Sequence, residues 1–139
     1  MSTTKNNPIL QPYLFFDGRC EEAIEFYRRA IAAELVQVSR YKDCPQSGMA
    51  PPGSDNKVMH ARFRIGDTTV LATDGRCLGK TDFQGFSLSL TVTTEAEAQR
   101  LFAALSEGGK VQMPLAKTFF SAGFGMLSDK FGVPWMVCV

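Results

Sequence analysis

Apolar and polar positions alternate along this chain in two rhythms, and the order of the rhythms repeats. Ile9–Phe16 (ILQPYLFF) is aromatic and apolar and predicts a strand, broken by Asp17-Gly18. Ala23, Ile24, Phe26, Tyr27, Ala30 and Ile31 then recur at helical spacing, predicting an amphipathic helix over about residues 20–33. Its other face carries Glu21, Glu22, Glu25, Arg28 and Arg29. Leu35–Tyr41 reads as a short strand, and residues 42–56, with three prolines and two glycines, as a loop. Lys57–Ile65 alternates, Met59, Ala61, Phe63 and Ile65 against Val58, His60, Arg62 and Arg64. After Gly66-Asp67, Thr69–Thr73 predicts a further strand.

The second half follows the same order. Phe86–Thr93 alternates strictly, with Phe86, Leu88, Leu90 and Val92 apolar and Ser87, Ser89, Thr91 and Thr93 polar. Thr94 and Glu97 have the spacing of a capping box. Ala98, Leu101, Phe102 and Leu105 continue as a helix, and Gly108-Gly109 predicts its left-handed end. Lys110–Leu115, Phe124–Ser128 and Pro134–Val139 are strand candidates. At an offset of 75 residues Ala23 meets Ala98, Phe26 meets Leu101, Tyr27 meets Phe102 and Val36 meets Val111.

Each half therefore reads β-α-β-β-β. Two such units cannot each bury a full core, so they pair, each laying its helix on one face of its own sheet. The expected fold is α+β: two paired βαβββ modules forming a curled eight-stranded mixed sheet around a cleft, helices on the outer face. Residues 8–139 form one domain in this reading, as modules over about 8–75 and 85–139, with 1–7 a disordered tail. The other reading is an unrelated α+β sandwich whose halves look alike by chance.

Composition narrows the function. The 139 residues, 45% apolar and 21% charged, suit one globular domain. With 15 Lys+Arg against 14 Asp+Glu there is no basic field for a nucleic acid. The apolar runs are too short to cross a bilayer, and the polar first seven residues lack a signal peptide's apolar stretch. A cytoplasmic enzyme or binding protein is expected. The cysteines, Cys20, Cys44, Cys77 and Cys138, are spaced too widely for a CxxC pair and are expected to be reduced thiols. Cys20 opens a predicted helix, whose dipole favours a thiolate, but Glu21 and Glu22 oppose it; a small packed residue is the main reading.

Several longer motifs carry a resemblance. They are Pro12-Tyr13-Leu14-Phe15-Phe16, Cys20 to Tyr27 (CEEAIEFY), Met59-His60-Ala61, Leu101 to Leu115 with Gly108-Gly109-Lys110-Val111 and Met113-Pro114-Leu115, and Asp129 to Met136 (DKFGVPWM). With the paired β-α-β-β-β units, they resemble the vicinal oxygen chelate superfamily of glyoxalase I, extradiol dioxygenases and bleomycin-resistance proteins, and within it the PhnB-like subgroup. Some members of that subgroup carry the name 3-demethylubiquinone 3-methyltransferase. This chain has no Gly-rich strand-to-helix turn to hold a methyl-donor cofactor, and it is too short for a crossover α/β sheet.

The resemblance implies a divalent metal held by four inward-facing side chains, one from the first and one from the last strand of each module. Those places fall at about Gln11, Ser87, Val70–Ala72 and Met136. Ser87 is a neutral hydroxyl, Met136 a soft thioether unsuited to a hard divalent ion, and Val70, Leu71 and Ala72 offer no donor. Only Gln11 suits the task, so no metal or other cofactor is expected.

The single histidine, His60, has two readings: a hydrogen-bonded structural imidazole, or a cleft-facing group that shuttles a proton or binds a carboxylate or phosphonate beside Arg62. Asp17, Asp74 and Asp129 sit at turns and read as caps or bends. Strand parity places Gln11, Tyr13 and Phe15 on one face, Ser87, Ser89 and Thr91 on another cleft-facing strand, and Met136 and Cys138 inward, with Trp135 and Val137 under the helix. Loop 118–125, with Phe119, Phe120, Phe124 and two glycines, reads equally as a lid or as edge packing. Residues 49–53 are expected to arch over the cleft mouth. The ligand-binding candidates are thus Gln11, Tyr13, His60, Arg62, Ser87, Ser89, Phe119, Phe124 and Met136.

Three functions follow. The first is a small-molecule binding protein with a metal-free cleft, the second a metal-assisted lyase, isomerase or oxygenase, the third an interaction module with a vestigial cleft. The missing donors weigh against the second. Open strand edges, and the habit of such scaffolds, imply a homodimer.

Overall fold

Each predicted apolar stripe finds a partner layer. The computed structural model of the chain describes residues 7–43, 52–77 and 79–139, so the expected tail, apart from Asn7, and most of the 49–53 stretch lie outside the described residues. The elements run β1 (Tyr13–Phe15), α1 (Cys20–Ile31), β2 (Glu34–Arg40), a 3₁₀ turn (Tyr41–Asp43), β3 (Val58–Ile65), β4 (Thr68–Thr73), β5 (Leu88–Thr91), α2 (Glu95–Ser106), β6 (Lys110–Ala116), β7 (Phe124–Ser128) and β8 (Pro134–Cys138). They form two mixed four-stranded sheets with the same topology, β1-β4-β3-β2 and β5-β8-β7-β6. In each, the strand before the helix runs parallel to the last strand of its module, and the other pairs are antiparallel.

The helices form where the 3.6-residue period put them. α1 buries Cys20, Ala23, Ile24, Phe26, Tyr27, Ala30 and Ile31, and α2 buries Ala98, Leu101, Phe102 and Leu105. α1 stops two residues before the predicted end, because Ala32 turns left-handed at φ 56°. Thr94 caps α2 by accepting from the Glu97 amide, but only half of the capping box forms: the Glu97 carboxylate turns outward to Arg100. Beyond α2 the chain needs glycine for space. A Cβ on Gly109 would stand 2.1 Å from the Ser128 carbonyl oxygen.

β1 is shorter than the apolar run from Ile9. Pro12 has no N–H to donate, and only its carbonyl joins the sheet, accepting from the Leu71 amide. Phe86–Thr93 likewise contracts to Leu88–Thr91, and Phe86, expected under the helix, is exposed. Val58 is buried although the alternation put it with the polar face; it enters the sheet with its amide on the Asp74 carboxylate.

An aromatic cluster welds the two modules. Phe16 packs on Phe131 and Tyr27 on Trp135, with ring centroids 6.0 and 5.6 Å apart. Two buried carboxylates organise the backbone around it. Asp74, at the end of β4, accepts from the amides of Gly18 and Cys20 at the start of α1 and from that of Val58. α1 has no side-chain cap of its own, so this tertiary carboxylate supplies one, placed where the helix dipole favours negative charge. Asp129, in the β7–β8 turn, accepts from the amides of Phe131 and Val133, the Trp135 indole and the Tyr27 hydroxyl.

Candidate functional site

Strand parity leaves one face of each sheet away from its helix, and those open faces carry the candidate residues. In β1, Leu14 is buried while Tyr13 and Phe15 are 42% and 55% exposed. Register sets Tyr13 beside Leu71, Leu71 beside Arg62, and Arg62 beside Gln37, a row across four strands. In the second module Ser89, Met136, Met126 and Met113 stand in the same relation. One row is polar and aromatic, its counterpart rich in thioethers.

The first module's row is closely connected. The Tyr13 and His60 rings meet edge to face at 5.7 Å. His60 Nδ1 lies 3.4 Å from Gln37 Oε1, and Gln37 Nε2 donates to Ser39 Oγ at 2.5 Å. Burial pushes the Tyr13 phenol up, so it stays protonated and able to donate. The two arginines of β3 differ. Arg64 pairs with Glu34 at 3.0 Å, whereas Arg62 is exposed and its side chain has no hydrogen bond or ion pair among the described residues. A guanidinium with no side-chain partner among the described residues, two positions along the strand from an imidazole that meets a phenol, is an arrangement for binding an acceptor-rich or anionic group.

Between the modules opens a cleft of about 470 Å³ lined by Leu10, Gln11, Pro12, Tyr13, Leu14, Phe86 and Leu88. It unites Gln11 with Tyr13 in a mostly apolar lining. Ser89 lies over a smaller hollow with Ile65, Thr68 and Trp135. Ser87 precedes β5 and is half-buried. Phe119 is fully exposed, and Phe119, Phe120 and Phe124 form a chain of rings with centroids 5.1 Å apart at each step. Phe124 sits beside Cys138 in β8, one row along from Met136. The structure thus joins Tyr13 to Gln11 and His60, and Ser89 to Met136, while among the described residues no hydrogen bond or ring contact links Ser87, Phe119 or Phe124 to the Tyr13–His60 group.

Gln37 and Ser39 were missed by the sequence reading. Their signal was present, since both are polar on alternate positions of a strand otherwise read as apolar. Leu10 and Phe86 were missed as cleft lining because β1 and β5 begin later than their apolar runs.

The places implied for a divalent metal do not fit one. Gln11, Ser87 and Met136 present one amide oxygen, one neutral hydroxyl and one thioether, and Leu71, in β4, stands where Met136 stands in β8. No three His, Cys, Asp or Glu side chains gather to hold a metal ion among the described residues. Cys20 is buried, and burial, then the Asp74 and Glu21 charges, push its thiol far up, against the thiolate a nucleophile needs.

The model of the 3-demethylubiquinone-9 3-methyltransferase family matches residues 8–138. The chain belongs to this PhnB-like family. It is 37% identical to Protein YjdN of Escherichia coli, over 94% of each chain. Protein PA1353 from Pseudomonas aeruginosa is 41% identical with a TM-score of 0.83, covering 95% of this chain and 97% of its own. A structure described as a putative 3-demethylubiquinone-9 3-methyltransferase, PhnB protein, from Bacillus cereus is 32% identical with a TM-score of 0.78, over 94% and 98%. A glyoxylase/bleomycin resistance protein/dioxygenase domain from Frankia, only 12% identical, shares the fold over 97% and 98% with a TM-score of 0.68. The Frankia likeness is one of fold, the paired-module architecture that the sequence motifs led us to expect.

Proposed function

We propose that this PhnB-like protein binds a small molecule on the open face of its first module, without a metal. The ligand combines an apolar or aromatic body with an anionic or acceptor group. The observation that carries this reading is the connected group Tyr13, His60, Gln37 and Ser39, with Arg62, which has no side-chain partner among the described residues, two positions from His60 on the same strand. Arg62 and His60 take the acceptor group, and the apolar cleft at Gln11 and Tyr13 takes the body. The exposed Phe119–Phe120–Phe124 rings offer a second apolar contact. Nothing in the donor set supports a metal-assisted lyase, isomerase or oxygenase step.

Residues 8–139 act as one domain in this reading, and two copies pair. Support for pairing comes from the outer strands: Leu35, Val36 and Val38 on β2 and Val111 and Met113 on β6 are exposed. We place the protein in the cytoplasm, where the free thiols of Cys20, Cys77 and Cys138 are at home. A thermal-shift screen of aromatic carboxylates and phosphonates tests the binding claim. The expected result is a midpoint that rises with concentration for at least one class; no rise for any class would contradict it.

A further inference from the structure

Three of the six methionines stand in one cross-strand row. Met113 pairs with Met126, and Met126 with Met136, on three successive strands of the second sheet. Met126 and Met136 lie on the face away from α2: their neighbours Leu127, Trp135 and Val137 are buried beneath the helix and the two methionines are half-buried, while Met113 is 45% exposed on the outer strand, between two irregularities in its register with β7. Core filling, the usual use of methionine, does not explain a row on the open side. The fold does not demand it either, since the matching places in the first module hold Gln37, Arg62 and Leu71.

Cross-strand partners carry their Cβ atoms about 5 Å apart, within the combined reach of neighbouring flexible thioethers. Three neutral sulfur donors drawn from one row match a soft monovalent cation that accepts trigonal coordination, and a thioether carries no proton to be displaced at any ordinary pH. Hard divalent ions gain little from such donors. Cys138, on the same face next to Met136, is already engaged, its Sγ 3.4 Å from Ser121 Oγ and 3.6 Å from the Val139 carbonyl.

We propose that Met113, Met126 and Met136 form a binding site for a soft monovalent cation of the Cu(I) type. The site is independent of the polar row in the first module. The test is a titration of the full chain, labelled at the methionine methyl carbons, with silver(I), a redox-inert probe of the same chemistry, carried past the equivalents taken by the four cysteines. The Met113, Met126 and Met136 methyl resonances are expected to move together, in the wild type and in Cys138→Ser alike, while Met59 stays in place. Met126→Leu, which conserves volume, is expected to abolish the joint movement. Three resonances that stay still, that move at different silver concentrations, or a Met136 shift that disappears in Cys138→Ser, would each overturn the proposal.

Discussion

The Tyr27 hydroxyl, on the helix of the first module, donates a 2.5 Å hydrogen bond to the Asp129 carboxylate in the last turn of the second. It is a polar link in the aromatic seam between the modules, and both of its ends are buried. Asp129 also holds the Trp135 indole and two amides of its own turn, so one carboxylate fixes a turn, a strand and the neighbouring helix. Tyr27→Phe removes one donor of four and is expected to lower stability by about 1–2 kcal/mol; Asp129→Ala strands all four and costs about 3 kcal/mol or more. Urea unfolding of the variants measures both, and equal small losses would deny Asp129 its organising role.

The same carboxylate gives stability a pH dependence. Burial raises the Asp129 pKa above the ordinary aspartate value, and its four donors do not cancel that effect. Between the ordinary value and the raised one, the folded chain therefore holds more proton at this site than the unfolded chain does. Asp129 contributes stability that is full below the ordinary value of about 3.9 and is lost as pH rises through its raised value. The exposed Glu21 and Glu22, held low by Arg40 and Arg19, slope the other way. The Asp129→Asn difference isolates the first effect: relative to the variant, the wild type should lose stability as pH rises across that window. A difference independent of pH would contradict it.

Asp74 caps α1 from across the fold. Asp74→Ala leaves the Gly18, Cys20 and Val58 amides without their acceptor, and is expected to destabilise by about 3 kcal/mol. Hydrogen exchange should show the loss first at the start of α1 and at Val58. Protection unchanged at those amides would rule out the tertiary cap.

Cys20 should resist alkylation in the folded protein. Its thiol is fully buried and its pKa is pushed far up, whereas Cys138 is only partly buried. Mass spectrometry after iodoacetamide treatment should find Cys20 unmodified until denaturant is added. Modification of Cys20 at the rate of Cys138 would contradict this burial.

The repeated β-α-β-β-β order, both helices and the alternation of faces were legible because each follows from a period of apolar residues. Ala23 through Ile31 and Ala98 through Leu105 show it, and Trp135 and Val137 fall under the helix as parity required. Strand ends were less legible, since Ile9 and Leu10 are as apolar as a strand yet lie beyond Pro12, where the ladder stops. The roles of Asp74 and Asp129 were half visible. Local sequence marks them as turn residues, but their partners at Cys20 and Tyr27 lie 54 and 102 residues away. The thioether row was invisible for the same reason: Met113, Met126 and Met136 have no common spacing, and only the register aligns them.

The claim that Arg62 reads the ligand's acceptor group is tested most directly by titration calorimetry. The strongest compound from the thermal-shift screen is titrated into the wild type, Arg62→Ala and Arg64→Ala. Arg64 is the internal control, being on the same strand, exposed, and already paired with Glu34. Loss of a hydrogen bond to a charged group predicts affinity falling roughly ten- to hundredfold in Arg62→Ala and little in Arg64→Ala. Equal affinity across all three proteins, or equal loss in both variants, would contradict the account.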